Sequence, residues 1–258
     1  MKIVDAHCHL NDEMYKEDLD EIIKEVNAEM EFIVCSGWDF DSSMSAIKLA
    51  NENDKIYASI GFHPTDISKM TEEKLLILEN LAKENDKIVG IGEIGLDYHW
   101  MVDPKEVQIA GLKKQIEMIR RVNKPIIIHT REALEDTINI LREYEDVGGL
   151  LHCFPGSYES VQPIINRYFV NVGGTLTFKN NRKTKELVDK LDIEKIVLET
   201  DSPYLTPTPF RGKRNKPTMV KYVAEEVARI KNMSVEDVIN VTTSNAIRAL
   251  KMEKLLCK

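Results

Sequence analysis

Two histidines one residue apart, His7 and His9, close the first apolar run of the chain. On a strand, alternate side chains leave by opposite faces, so this spacing sends both imidazoles one way and Cys8 the other. Two ring nitrogens are thereby aimed at one point, which is the beginning of a metal site. Later apolar runs also end in polar groups: the third in His63, the fourth in Glu93, the fifth in His129, the sixth in His152 and the eighth in Asp201. A lone strand histidine is usually a hydrogen-bonded core residue. Here, of six histidines, His7, His9, His129 and His152 fall at run ends, with carboxylates at two more. Buried ionisable groups rarely gather without a metal or a catalytic role. Imidazole and carboxylate donors without thiolate suit Zn, Mn, Fe, Co or Ni, and a carboxylate-rich subset suits Mg. Six donors exceed the needs of one four-coordinate ion, which points to two divalent ions bridged by Glu93. Such a pair would acidify a shared water, and Asp201 could bind a metal and also take the proton.

Other polar residues carry two readings each. His63, in Gly61-Phe62-His63-Pro64, is either a substrate contact or a turn residue held by the proline. His99, beside Trp100, reads as a surface or packing residue. Glu199 stands two before Asp201, where it would orient a ligand or serve as an ordinary strand-end carboxylate. The cations of Arg211-Gly212-Lys213-Arg214 follow Asp201 closely enough to reach the mouth of a site. With Arg131 and Lys179 they suit phosphate groups, the plainer reading being a solvated charged face.

What positions these groups is an alternation of short apolar runs with stretches of helical period, the signature of a parallel sheet with helical crossovers. The runs cover residues 2–9, 31–36, 55–63, 87–93, 125–130, 149–154, 168–173 and 195–200. In residues 107–122, Ile109, Leu112, Ile116 and Ile119 form one apolar face, and Leu75, Leu76, Leu78 and Leu81 do so in residues 71–85. Residues 234–252 open with Ser234 as cap and Asp237 three later, which predicts a closing helix after the eighth unit. Residues 201–217 carry four of the nine prolines and must be a structured loop. No linker interrupts the pattern. The expectation is an α/β fold, a TIM (β/α)8-type barrel with a C-terminal closing helix, as one domain spanning 1–258, with chemistry at the carboxyl ends of the strands.

The totals agree. A chain of 258 residues, 43% hydrophobic and 30% charged, can bury a full core. A net charge of -8 excludes a protein whose whole surface grips nucleic acid, while allowing a local basic patch. Cys8, Cys35, Cys153 and Cys257 show neither disulfide-scaffold nor zinc-knuckle spacing. The N-terminus has no signal-peptide pattern and no stretch is long and apolar enough for a membrane, so a reducing cytoplasm is expected.

Taken in order, these motifs resemble the TatD family of metal-dependent deoxyribonucleases, within the wider amidohydrolase-like barrels. They are Asp5-Ala6-His7-Cys8-His9-Leu10, Gly61-Phe62-His63-Pro64, Gly92-Glu93-Ile94-Gly95-Leu96-Asp97-Tyr98, Ile128-His129-Thr130-Arg131, His152-Cys153-Phe154-Pro155-Gly156, Glu199-Thr200-Asp201-Ser202-Pro203-Tyr204-Leu205 and Arg211-Gly212-Lys213-Arg214-Asn215. Pro155 stands where the family pattern has a small polar residue. The resemblance implies phosphodiester hydrolysis in DNA, from single-stranded or frayed ends, with divalent ions (Zn, Mn, Mg or similar) held by His7, His9, Glu93, His129, His152 and Asp201. It also implies that His63 touches substrate, making Asp201, Glu93 and His63 the catalytic set. RNA is a further substrate class. Two other readings remain open: an ester or amide hydrolase such as a D-aminoacyl-tRNA deacylase, and a non-catalytic metal-bound interaction protein.

Overall fold

Every expected run becomes a strand of one parallel sheet in the computed structural model, which describes residues 2–256 and so leaves Cys257 outside. The strands are β1 (Ile3–Cys8), β2 (Met30–Ser36), β3 (Ile56–Ile60), β4 (Ile88–Asp97), β5 (Ile126–Arg131), β6 (Gly149–Leu151), β7 (Tyr168–Val172) and β8 (Ile196–Leu198), paired in sequence order. Crossover helices are α1 (Leu19–Glu29), α2 (Phe40–Glu52), α3 (Glu72–Glu84), α4 (Lys105–Val122), α5 (Leu134–Glu143), a short α6 (Tyr158–Val161) and α7 (Arg182–Lys190). After β8 come α8 (Val220–Lys231), α9 (Val235–Ala249) and α10 (Glu253–Leu256). This is the TIM-type (β/α)8 barrel. It closes between β1 and the segment after β8: Cys8 bridges Ser202, the Asp201 amide donates to the His7 carbonyl at 3.0 Å, and the His9 amide donates to the Ser202 carbonyl at 2.7 Å. Closure therefore brings three of the candidate donors together. No helix among the described residues is long and apolar enough to cross a membrane.

The strands read as near-continuous apolar runs because both faces are covered. Ile126 and Ile128 pack outward with the helices, while Ile127 joins Val4, Phe32, Val34, Val89, Leu150 and Val197 in a second cluster drawn from strands around the barrel. That cluster fills the interior. Ala246 and Ala249 of α9 close it at the amino ends of the strands, where Asn245 donates to the Ile193 and Ile196 carbonyls at 2.7 Å each. Ser234 caps α9, accepting from the Asp237 amide at 3.0 Å, as its sequence predicts. With that end plugged by apolar packing, the opposite end is free to carry polar groups.

Several run ends differ from expectation. β4 continues to Asp97, so Glu93 lies inside the strand. The cause is Gly95, paired with His129, where an added Cβ would meet the His129 carbonyl oxygen at 1.8 Å. Glycine lets β4 run on against β5 through a polar sequence. β3, β6 and β8 stop early, leaving His63, His152 and Asp201 just beyond the ladder. His63 opens a 3-10 turn, Pro64–Lys69, because Pro64 has no amide to offer a strand. Residues 201–216 form an irregular loop, pinned where Asn215 Nδ2 donates to the Thr200 and Tyr204 carbonyls at 3.1 and 2.7 Å.

Candidate metal centre

Donor atoms gather at the carboxyl end of β1, where His7, His9 and Asp201 offer one atom each within 4.8 Å of one another and Glu93 lies beside the two histidines. His7 Nε2 and His9 Nε2 are 3.2 Å apart; Glu93 Oε2 lies 3.6 and 3.7 Å from them, and Asp201 Oδ1 3.8 and 3.4 Å. Tetrahedral bonds of about 2.0–2.2 Å set donor atoms about 3.3–3.6 Å apart, so the spacing matches a shared cation. The other oxygen of Glu93 faces a second group. Its Oε1 lies 3.7 Å from His152 Nε2, 3.7 Å from His63 Nε2 and 2.7 Å from His129 Nδ1. One carboxylate thus turns its two oxygens toward two sets of imidazoles, which adjoin where His152 stacks on His7 at 3.7 Å and lies 3.7 Å from Asp201 Oδ1. The 2.7 Å contact is too short for two ligands of one ion; it is a hydrogen bond in the line a cation could take over.

Outer contacts orient the rings so that the inner nitrogens face the site. The Ser36 carbonyl can only accept, so His9 Nδ1 at 3.0 Å carries the hydrogen and Nε2 keeps its lone pair for the site. His152 Nδ1 donates likewise to Glu199 Oε2 at 2.9 Å, and His129 Nε2 to Asp97 Oδ2 at 3.1 Å. Carboxylates behind histidines in this way orient rings at metal sites and raise their basicity. Glu199 is itself held by Asn171 Nδ2 at 2.7 Å and the Cys153 amide at 2.8 Å. His7 Nδ1 meets Ser36 Oγ at 3.2 Å. Below them the buried Asp5 accepts from the Thr200 amide at 2.8 Å, tying β1 to the residue before Asp201.

Charge in this centre is balanced by imidazoles alone. Burial would push the Glu93 carboxyl up, but His152, His129, His7 and His63 outweigh it and hold it well below the usual range. Asp201 follows the same pattern: burial is overcome by the adjoining His9 and His152, and its carboxyl is lowered. For His152, burial favours the neutral ring, yet Glu199 and Glu93 raise it to about 10. His63 goes the other way, lowered to about 4 by burial and by His129. Among the described residues, the ion pairs of Glu93 and Asp201 involve histidine and neither lysine nor arginine. Buried carboxylates without such a partner are expensive unless a cation joins them. The donor set, the spacing and this balance all fit divalent ions.

Comparison with known proteins agrees with this geometry. A family model described as TatD related DNase matches residues 4–251. The chain belongs to the TatD family. YabD of Bacillus subtilis (strain 168), an uncharacterized metal-dependent hydrolase, is 45% identical over 254 residues, covering 97% of this chain and 99% of that protein. YcfH of Escherichia coli (strain K12), described in the same words, is 34% identical over 260 residues, covering 98% and 97%. Among solved structures, the TatD homolog YJJV of Escherichia coli K12 shares the fold at a TM-score of 0.86 and 24% identity, covering 95% of this chain and 96% of that one. As a TatD family member this protein is a metal-dependent hydrolase.

All six expected TatD donors meet at one end of the barrel, and His63 joins them, its ring fixed by a 2.6 Å hydrogen bond between Nδ1 and Thr65 Oγ1. The expected phosphate contacts divide. Arg211 and Lys179 are exposed and line one pocket of about 410 Å³ with Thr175, Phe178, Asn180 and Asn181, and Arg211 stacks on Phe178 at 3.9 Å. Arg131 is exposed at the end of β5, over Trp100. Arg214 is engaged elsewhere: its guanidinium takes both oxygens of Asp18 and lies on Tyr15. His99 pairs with Glu132 at 2.7 Å on the surface. Asp97, Ser36 and Asn171 received no role from sequence. For Asp97 a signal existed, since it stands four after Glu93 and shares its face once the strand is extended.

Proposed function

We propose that this TatD family protein hydrolyses phosphodiester bonds in DNA at single-stranded or frayed ends, using two divalent ions bridged by Glu93, with residues 1–258 as one working unit. The observation that carries the proposal is the division of Glu93, one oxygen toward His7 and His9 and the other toward His129 and His152. Ions bound there would polarise the phosphoryl group, acidify a water and offset charge on the leaving oxygen. His7, His9 and Asp201 supply one set of donors, and His129 and His152 the other. Asp201 keeps a carboxylate, its side chain partly open to solvent, in position to accept the proton of the attacking water. His63, neutral at pH 7, presents Nε2 to a substrate oxygen. Arg131, Lys179 and Arg211 supply cations for flanking phosphates, which favours short or single strands because one basic rim on a chain of net charge -8 gives few long-range duplex contacts.

The test is cleavage of end-labelled oligonucleotides by protein loaded with Mg, Mn or Zn. Shortening of single strands is expected, with loss in Asp201→Asn and Glu93→Gln. Intact DNA and RNA with every ion, in wild type and variants alike, would overturn the proposal. Release of amino acid from charged tRNA without shortening of the RNA would move the same centre to carbonyl esters.

A further inference from the structure

Both tryptophans of the chain, Trp38 and Trp100, line the cleft above the metal donors, a space of about 370 Å³ that also includes His9, His63, Thr65, Asp66, Glu93 and Tyr204. Trp100 is 61% exposed and Tyr204 49%. An indole this open is not fulfilling a packing role, and large aromatic surfaces beside a polar site mark binding. The Trp100 loop is nevertheless held in place. Asp97 Oδ1 accepts the amides of His99 and Trp100, both at 2.9 Å, while Oδ2 of the same carboxylate takes His129. One side chain therefore ties the indole to the metal donors. The Arg131 guanidinium lies 5.4 Å from the centre of the Trp100 ring, and His99 meets that ring edge-on at 5.0 Å. Across the cleft Tyr204 is anchored by donating to Asp12 at 2.7 Å, and Trp38 meets His9 edge-on at 5.4 Å.

We propose that this aromatic mouth is a stacking site for one unpaired nucleobase, with Trp100 as platform and Trp38 and Tyr204 as the other walls. The inference rests on the reading of the substrate as nucleic acid and adds what that reading lacks, a group that contacts the base. Every base has a π-face, so stacking tolerates sequence, but a base inside a duplex has both faces covered already. The cleft volume suits a ligand of nucleotide size, and Arg131 adds a cation beside the ring for the attached phosphate. The site thus selects nucleotides that have left the helix, which is a reason for end or single-strand preference independent of charge.

The decisive comparison uses two substrates with the same backbone, a short single-stranded oligonucleotide and an oligomer of abasic tetrahydrofuran phosphodiesters. Removing one stacking aromatic typically weakens binding by about ten-fold or more. Trp100→Ala is expected to raise KM for the base-bearing strand by about that factor while leaving its kcat and both constants for the abasic oligomer unchanged; Trp100→Phe, which keeps an aromatic face, should hold KM close to the wild-type value. Equal changes for both substrates, or none, overturn the stacking site. If neither diester is cut, the nuclease reading fails and binding still decides this one. In Trp38→Phe the sole indole is Trp100, and its fluorescence should be quenched saturably by dAMP and not by deoxyribose 5-phosphate. Fluorescence indifferent to dAMP refutes the proposal.

Discussion

Replacing Glu199 by glutamine keeps its shape and removes one acceptor, which isolates its role in orienting His152. Three donors converge on this fully buried carboxylate: His152 Nδ1 at 2.9 Å, Asn171 Nδ2 at 2.7 Å and the Cys153 amide at 2.8 Å. A glutamine has a single carbonyl oxygen. Turned toward His152 and Asn171, it leaves the Cys153 N–H facing an NH2 group, and a buried unsatisfied donor costs about 1–3 kcal/mol. Turned the other way, it presents NH2 to His152, whose ring must then keep its hydrogen on Nε2 and lose the lone pair that a bound ion would take. Either way the ligand loses its negative support. Outer-shell losses of this kind weaken metal affinity by about 10–100-fold, or about 1.4–2.8 kcal/mol. The assay is calorimetric titration of metal-free wild type and Glu199→Gln with Mn or Zn. Weakening greater at one of two binding steps is expected, because His152 faces Oε1 of Glu93 whereas His7 and His9 face Oε2. Wild-type affinity at both steps, in a variant whose melting temperature has fallen, would show that Glu199 only supports the fold and that the orientation argument is wrong.

Metal itself should stabilise the protein: ligand at a hundred times its Kd adds about 2.7 kcal/mol, or about 5–10 °C in melting temperature for a chain of this size; no shift after chelation and reloading with Zn, Mn or Mg would contradict the centre. The Glu79 carboxylate, buried against Arg121 at 2.8 Å and Lys83 at 2.7 Å, is held at about 2, below its ordinary 4.5. Its stabilisation is therefore present above about pH 5 and lost as pH falls through about 2. Because Arg121 and Lys83 are half in solvent, the stability gap between wild type and Glu79→Gln should be about 1 kcal/mol near neutrality and should close in acid, as urea unfolding at several pH values would reveal; a constant gap argues against the ion pair. Arg211→Ala should weaken oligonucleotide binding and lower the slope of log affinity against log salt by about one with melting unchanged. Arg214→Ala should instead lower the melting temperature through loss of Asp18, and the reverse assignment would show that the rim has been misread.

Most of the centre was legible because its groups follow strand parity and strand ends. His7 and His9 share a face by spacing alone, and Gly95, two after Glu93, is the kind of residue that lets a strand continue against its neighbour. Asp97 went unassigned because ending β4 at Glu93 hid its shared face. Ser36 and Asn171 could not be found this way, since their roles depend on neighbours from other strands and no local pattern distinguishes them from ordinary strand polar residues. Arg214 illustrates the limit from the other side: within Arg211-Gly212-Lys213-Arg214 it looks equivalent to Arg211, but the loop's path gives it Asp18, almost two hundred positions earlier, as a partner.

The order of elements, the barrel, the polar residues at the strand ends and the family were therefore determined by the chain itself, because periodicity and residue chemistry are local properties that survive in one dimension. Which oxygen of Glu93 faces which imidazoles, which carboxylate stands behind which ring, and which cation remains free were decided only when β1 met the segment after β8. Those are distances of 3–4 Å between residues far apart in sequence, and only closure of the sheet sets them.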